Sequence, residues 1–509
     1  MTTASDSNKR IAKNTIFLYF RSMLMMAIGL FSSRIILKAL GIDDYGLYGA
    51  IGSIVAMFTI INGVLAAGTG RFLTFELGKG DKERLRKTFG AAFAMHAALA
   101  IILFILLESA GLWFLNNKMN IPEGREFAAN VVFQLSILTC MLSLTQVPYN
   151  ACIIAHEKMS VYAYVGIAEA VFKLVLIFAL LYAPFTDNLI AYAVILAVWS
   201  ASLQIWYRFY CRKRFEESNL MIVRDKSIYK GMLSYSLWDF LGQFCANGIG
   251  QGLNILLNIF FGVAMNSARA VAYQVEHALT QFSGNFMIAT QPQIVKSYAA
   301  GDYNRFNLLI SQAGKYSFFL LFVFTLPFFL EADYVLSLWL VEVPPYSSVF
   351  LKVIMLVTLF RIITKPVIQA VHAIGNIKFL NITSGLFGVL TYLPAVYILF
   401  KSGFPFWTMF IVQIVCAIMS SCLETWALYR LHKFPMIKYI ADVYLRCVVV
   451  LAIASILPAF IVYYFEPSFI RLTATFAASL TSAGITIYYL GLPKSVRRHL
   501  ISYIYKKLH

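Results

Sequence analysis

The sequence predicts an all-α polytopic membrane protein of about 14 transmembrane helices, arranged as two pseudo-symmetric six-helix bundles with two extra helices at the C-terminal end. Three observations carry this reading. The chain of 509 residues is 60% hydrophobic and only 13% charged, and its mean hydropathy is +0.73. Apolar runs near the roughly 20 residues needed to cross a bilayer recur along its whole length. A gap-free offset then lays glycines and one charged turn of the second half onto the first.

The first six spans are expected near residues 13–40, 45–77, 86–115, 125–155, 160–183 and 188–210. The next six fall near 231–261, 267–297, 307–330, 348–373, 378–400 and 405–430, and the last two near 438–464 and 468–490. Lys9, Arg10 and Lys13 before the first apolar run imitate a signal peptide. That run is too long, carries Arg21 and Arg34 and lacks a small-residue cleavage site, so it reads as the first span. The apolar stretch from Tyr334 to Val343 is expected to lie along the membrane interface. These spans divide the chain into an N-terminal lobe at 1–216, a second lobe at 217–433, and two further helices with a basic amphipathic tail at 434–509.

The repeat rests on particular residues. Gly80-Asp81-Lys82-Glu83-Arg84 returns as Gly301-Asp302-Tyr303-Asn304-Arg305, 221 positions later. At the same offset Gly29 meets Gly250, Gly41 meets Gly262, Thr59 meets Thr280, Gly63 meets Gly284 and Thr69 meets Thr290. Related halves of this kind let many secondary transporters build a central site that opens to either side.

Charge gives orientation. With the N-terminus inside, the basic clusters at Lys79–Lys87, Arg208–Lys230, Arg430–Lys433 and Lys494–Lys507 share one side. The opposite loops hold little beyond Lys118, Arg125 and Lys401. The positive-inside rule then puts both termini in the cytoplasm. The basic loops come with no nucleic-acid-binding motif, so no nucleic-acid partner is expected. The tail from Lys494 mixes basic residues with Leu500, Ile501, Tyr503 and Ile504, a pattern suited to an anionic membrane surface. Most of the 29 tyrosines and 43 phenylalanines read as interfacial anchors and lipid-facing packing.

Several chemistries are excluded. The seven cysteines show no C-x-x-C pair or metal-ligand spacing and read as small packing residues, so no metal or cofactor is expected. The chain has no phosphate-binding loop, nucleophile elbow or H-E-x-x-H helix. No loop is long enough for a soluble catalytic domain, so the chain is expected to be no enzyme. Energy for any transport must come from an ion gradient, the membrane potential or the cargo's own gradient.

The candidate site lies in spans seven and eight. Asp239, Gln243, Asn247, Gln251, Asn254 and Asn258 are spaced by three or four residues, within an arc of about 120°. Six polar groups on one face cannot meet lipid cheaply. They either make interhelical hydrogen bonds or line a hydrated cavity, and the register favours the cavity. In span eight Arg269, Tyr273, Glu276 and Thr280 share a face, with His277 beside them. An Arg269–Glu276 pair that merely holds the helix is the plain alternative to a binding site. Asp239, Glu276 and His277 are the candidates for ion coupling.

Bases outnumber acids within the spans. Arg71, Arg361 and Lys365 are expected to snorkel toward the cytoplasmic ends, and Glu169 and Lys173 to neutralise one another at i, i+4. Arg471 and Arg446 belong to the last two helices. Arg34, Lys38, Arg269 and Lys315 remain costly to bury. Such a cavity suits an anionic cargo, and arginine forks suit phosphate oxygens.

The stretch Leu40-Gly41-Ile42-Asp43-Asp44-Tyr45-Gly46-Leu47-Tyr48 resembles the lipid-linked oligosaccharide flippases of bacterial surface polysaccharide pathways, including O-antigen flippases. So do Val147-Pro148-Tyr149-Asn150-Ala151 and Gln291-Pro292-Gln293-Ile294-Val295-Lys296. These proteins belong to the multidrug/oligosaccharidyl-lipid/polysaccharide (MOP) exporter superfamily. The resemblance covers nearly the whole chain and implies a MATE-like MOP fold, with two bundles rocking about a central cavity. It implies an undecaprenyl-pyrophosphate-linked oligosaccharide moved from the cytoplasmic to the periplasmic leaflet of the bacterial inner membrane. Its implied partners are that lipid substrate, membrane lipids, H+ or Na+, and the polysaccharide polymerase machinery. The use of cavity arginines in such flippases extends to Arg34 and Arg269 by span and depth only; with the cargo the resemblance implies, Arg34, Arg269 and Lys315 are expected to contact pyrophosphate, while Gln243, Asn247, Gln251 and Asn254 face glycan. A MATE-type multidrug or cation antiporter is the alternative, against which the surplus of buried bases argues. A membrane polysaccharide polymerase or ligase is the remote one, since the largest candidate loop, near 331–348, offers only Glu331, Asp333 and Glu342 as ionisable groups.

Overall fold

A computed structural model describes residues 14–25, scattered positions between 11 and 52, residues 59–493 and Arg497. Within 59–493 it leaves out 118, 120, 122, 183, 184, 341 and 342, and the side chains at 59–61, 173, 177, 181, 263 and 264. Arg34, Lys38, the Lys173 side chain, most of the Leu40–Tyr48 motif and nearly all of the basic tail lie outside the described residues.

Among the described residues every regular element is a helix. We label residues 14–25 α1, then Thr59–Lys79 α2, Lys82–Asn117 α3, Glu126–Ala155 α4, Met159–Tyr182 α5 and Asn188–Arg214 α6. Lys226–Phe261 is α7, Val263–Ala299 α8, Tyr303–Leu330 α9 and Ser347–Ile374 α10. Ile377–Lys401 is α11, Thr408–His432 α12, Met436–Tyr464 α13 and Phe469–Gly491 α14. The apolar stretch after Leu330 begins with a separate short helix, Ala332–Trp339. Eleven of these helices, α3 to α7 and α9 to α14, are long and apolar enough to cross a membrane. The 37-residue α8 is not among them; its length carries Arg269, Gln274, Glu276 and Gln293.

The two charged turns of the repeat fold alike. Gly80 and Gly301 sit at φ +76° and +75°, in the left-handed region that favours glycine. One residue on, Asp81 accepts from the Arg84 backbone N–H at 2.9 Å and Asp302 from that of Arg305 at 3.0 Å. Each aspartate thus satisfies an orphan donor at the start of α3 or α9.

The chain divides into two compact units, Met1–Phe240 with Val295–Gly301 and Leu241–Ile294 with Asp302–His509. Helices α7 and α8 each run from one unit into the other. In the first unit Phe133 and Ile137 of α4 pack with Leu107 of α3 and Tyr192 of α6. A second cluster joins Phe89, Tyr149, Cys152 and Tyr207. In the second unit Phe306, Phe318 and Phe322 of α9 and Phe350 of α10 are fully buried. Lipid tails are as apolar as these side chains, so between spans it is close packing and interhelical hydrogen bonds that hold the unit together.

Helices α13 and α14 attach to the second unit through polar clasps. Arg471 of α14 grips Glu331 at 2.6 and 3.0 Å, and Thr475 donates to the same carboxylate at 2.9 Å. The Tyr439 hydroxyl of α13 donates to the Ile363 carbonyl of α10 at 2.6 Å. A Cβ at Gly314 would lie 2.7 Å from that hydroxyl, so glycine is what lets α9 approach α13.

Candidate functional site

On α7 Gly242 and Gly252 lie on a face away from the amides, while Gly250 lines the amide-bearing cavity. A Cβ at Gly242 would lie 2.6 Å from Asn381 Oδ1, and one at Gly252 2.6 Å from Leu393, both on α11. The face carrying Gly242 and Gly252 is therefore the one packed on α11. Asn247, Gln251 and Asn258 are exposed, and Gln243 and Asn254 are half-buried. Asn247 donates to the Gln243 carbonyl of its own helix at 2.9 Å. From the neighbouring α8, Arg269 Nη1 donates to Asn254 Oδ1 and ties the stripe to a second helix.

Arg269 is the centre of the site. It is 7% exposed, and among the described residues no carboxylate lies within ion-pair distance of it. Its guanidinium carbon stands 4.6 Å from the Tyr273 ring centre, one turn along α8. Asn254 serves as the hub: its Oδ1 takes the arginine, its Nδ2 donates to Gln251 at 3.4 Å, and its carbonyl accepts from Asn266 at 3.1 Å. An aromatic face and a neutral amide stabilise a buried cation, yet they leave its full positive charge uncompensated.

Arg269, Gln251 and Asn254 line one cavity of about 560 Å³ inside the second unit, together with Tyr273, Arg361 and Gln413. Arg361 corrects the sequence expectation that it snorkels. Its two terminal nitrogens hold Glu424 at 2.9 Å each, and Ser384 donates to the same carboxylate at 2.9 Å. Glu424 is buried, so a neutral bidentate pair stands where an end-of-helix cation was expected. The cavity's net charge therefore comes from Arg269.

The other expected residues fall elsewhere. Gln243 and Asn247 are on the α7 stripe but do not line this cavity. Lys315 is buried on α9 within electrostatic range of Arg446 and Asp442 of α13, and it does not line the cavity either. Glu276 does not pair with Arg269: it accepts from Thr358 of α10 at 3.1 Å and has Lys365 in electrostatic range. His277 is exposed. Asp239 is buried in the first unit beside Tyr235. Arg71, expected to snorkel, is buried there too, packed on the rings of Phe72, Phe75 and Tyr235. Those three faces shelter the charge that water was expected to take.

Sequence reasoning missed Gln413, and it missed the role of Glu424 because Arg361 lies 63 positions away in the chain. It also missed a cluster of Cys152, His156 and Glu217 in the first unit. The i, i+4 spacing of Cys152 and His156 was the available signal.

The helix order and the two units can be compared with solved structures. An outward-facing multidrug resistance MATE family transporter of the MOP superfamily superimposes with a TM-score of 0.68 at 14% identity, covering 84% of this chain and 97% of that one. The fold is that of the MATE transporters. The Vibrio cholerae MATE transporter VcmN in its bent form gives 0.64 at 16% identity, covering 86% and 98%. A MOP superfamily transporter from Pyrococcus furiosus, described by a binding pocket of reverse polarity that suggests a different function, gives 0.66 at 13% identity, covering 84% and 96%. At these identities the likeness is one of MATE fold and not of cargo. No protein-family model matches the sequence, and no curated protein does.

Proposed function

We propose that this chain is a secondary transporter of an anionic lipid headgroup, and specifically a flippase for undecaprenyl-pyrophosphate-linked oligosaccharide. The observation that carries the reading is Arg269: a buried guanidinium, free of any carboxylate among the described residues, in a partly polar cavity of a MATE-type fold. An uncompensated buried cation is costly, and it repels cationic cargo while matching phosphate oxygens. Amides and tyrosines around it offer the neutral hydrogen bonds that sugar hydroxyls require.

The energetics run in the same direction. Moving one charge through 100 mV is worth about 2.3 kcal/mol, so two negative charges leaving an inside-negative cell gain roughly 5 kcal/mol. The barrier is desolvation of phosphate in the bilayer core, which Arg269 lowers, with Arg34 and Lys315 as further cations on the path. Gln243, Asn247, Gln251 and Asn254 form its sugar-facing side. Asp239, Glu276 and His277 carry a proton or sodium ion that resets the empty carrier. The chain works by alternating access, with lobes at 1–216 and 217–433, 434–509 as an accessory pair and tail, both termini cytoplasmic, in the bacterial inner membrane beside the polymerase that consumes the product.

The MATE names of the similar structures support a second reading, a multidrug or cation antiporter. The two separate in proteoliposomes. The flippase reading expects translocation of a diphosphate-linked glycolipid that slows sharply with Arg269→Gln, and no uptake of a cationic amphiphile. Uptake of the cation, indifferent to Arg269, establishes the antiporter.

A further inference from the structure

Cys152 and His156 stand one helical turn apart at the end of α4, so they project from one face. The short turn Glu216–Ser218 after α6 brings Glu217 to that face. Cys152 Sγ lies 3.4 Å from Glu217 Oε1, and His156 Nε2 contacts the same oxygen. One donor atom from each residue falls within 4.8 Å of the other two. A tetrahedral zinc ion with bonds of about 2.3 Å to sulfur and about 2.0 Å to oxygen holds those two donors roughly 3.5 Å apart. The observed sulfur–oxygen spacing already has that value.

The surroundings are also those of a site. Cys152 and Glu217 are buried, while His156 is partly exposed and leaves an entry path. The imidazole is held by stacking on Phe215 at 4.2 Å. Cys211 stands behind, its Sγ donating to the Tyr149 carbonyl at 3.6 Å. Both the Cys152 thiol and the His156 ring are placed to direct protons at one carboxylate, the arrangement a dication replaces.

We propose that Cys152, His156 and Glu217 form a binding site for a transition-metal dication of the zinc class. Sulfur, imidazole and carboxylate together select a borderline-soft ion over calcium or magnesium. On binding, Cys152 gives up its thiol proton to solvent and a metal–sulfur bond forms. The ion staples the end of α4 to the turn after α6. The next residue, Glu157, sits at φ +59° and takes the Lys296 ammonium of α8 at 2.5 Å. Metal occupancy therefore stiffens the turn that anchors the end of α8.

Cobalt titration of the chelator-stripped, full-length protein in detergent tests this. The expected result is one cobalt per chain, a near-ultraviolet thiolate-to-cobalt band, and its loss on adding zinc. Cys152→Ser abolishes the band, Cys211→Ser keeps it, and zinc raises the melting temperature of the wild type but not of His156→Ala. His156 is partly exposed, so its variant stays informative if a hydroxyl at 152 disturbs folding. A wild type with no thiolate band, or a His156→Ala variant that binds as tightly as wild type, overturns the proposal.

Discussion

The turn Gly80–Arg84 and the turn Gly301–Arg305 are near copies, whereas a cavity in one unit is almost wholly apolar and a cavity in the other is partly polar. The turns share a left-handed glycine and an aspartate cap to within 1° and 0.1 Å. The first unit's cavity, about 450 Å³, is lined by Leu65, Leu99, Leu233 and Phe240, with Ser236 and Tyr229 as its only polar side chains among the described residues. The second unit's is lined by two arginines, two amides of α7 and Gln413. A backbone turn is fixed by φ and by one hydrogen bond, so duplicated halves keep it. The two cavities are not counterparts in the repeat: the apolar one is lined by α2, α3 and the start of α7, the other by α7, α8 and α10 to α12, so each has its own lining.

Substitutions in the two cavities and in the two turns put this contrast at risk. The largest effect belongs to Arg269. Removing one charge-assisted contact costs about 1.5–3 kcal/mol, so Arg269→Ala is expected to slow glycolipid translocation roughly 10- to 100-fold, while the same assay on Phe240→Ala in the apolar cavity changes little. Next comes Glu424→Gln, which strands Arg361. Breaking a buried pair costs about 3–5 kcal/mol, and the partial exposure of Arg361 reduces that to about 2 kcal/mol, read as a lowered melting temperature in detergent.

The duplicated turns predict matched penalties. Both glycines have open space where a Cβ would go, so Gly80→Ala and Gly301→Ala are each expected to cost about 1–2 kcal/mol of left-handed strain alone. Unequal losses in thermal unfolding would show that the turns are alike in shape but not in load. Asp81→Ala and Asp302→Ala remove one cap each and should cost about 1 kcal/mol apiece.

The smallest effect is on pH dependence. Burial opposes ionisation of Asp187, but the Ile190 backbone N–H and the Arg125 guanidinium outweigh it and hold its carboxyl below the usual aspartate range. A lowered folded value means that this contribution is complete above the ordinary aspartate pKa of about 4 and is lost as pH falls through the lower folded value. Melting curves from neutral to acid pH should therefore be flatter for Asp187→Asn, which keeps an acceptor for the cap while losing the charge.

The spans were legible because an uninterrupted apolar run of bilayer length suits a membrane helix and little else. Their ends were less so: α7 begins at Lys226 and not near 231, since its first turn is polar. The repeat was legible because glycine at positive φ and aspartate at a cap are each hard to replace. Arg361 and Arg71 were misread because position along a span says nothing about a partner on another helix; Glu424 lies 63 residues from Arg361. Arg269 was visible as a cost, and only the fold could show that no acid among the described residues offsets it. The Cys152–His156 spacing was visible as well, but Glu217 arrives through a three-residue turn with no signature of its own.

The most direct test of the cationic cavity is translocation of a polyprenyl-diphosphate oligosaccharide in proteoliposomes at Arg269. Wild type, Arg269→Lys and Arg269→Gln should rank in that order, the lysine keeping charge but losing the fork, with whatever transport remains still accelerated by an inside-negative potential because the moving charge is the cargo's. Equal rates for wild type and Arg269→Gln, with protein levels and melting temperatures matched, would contradict the account.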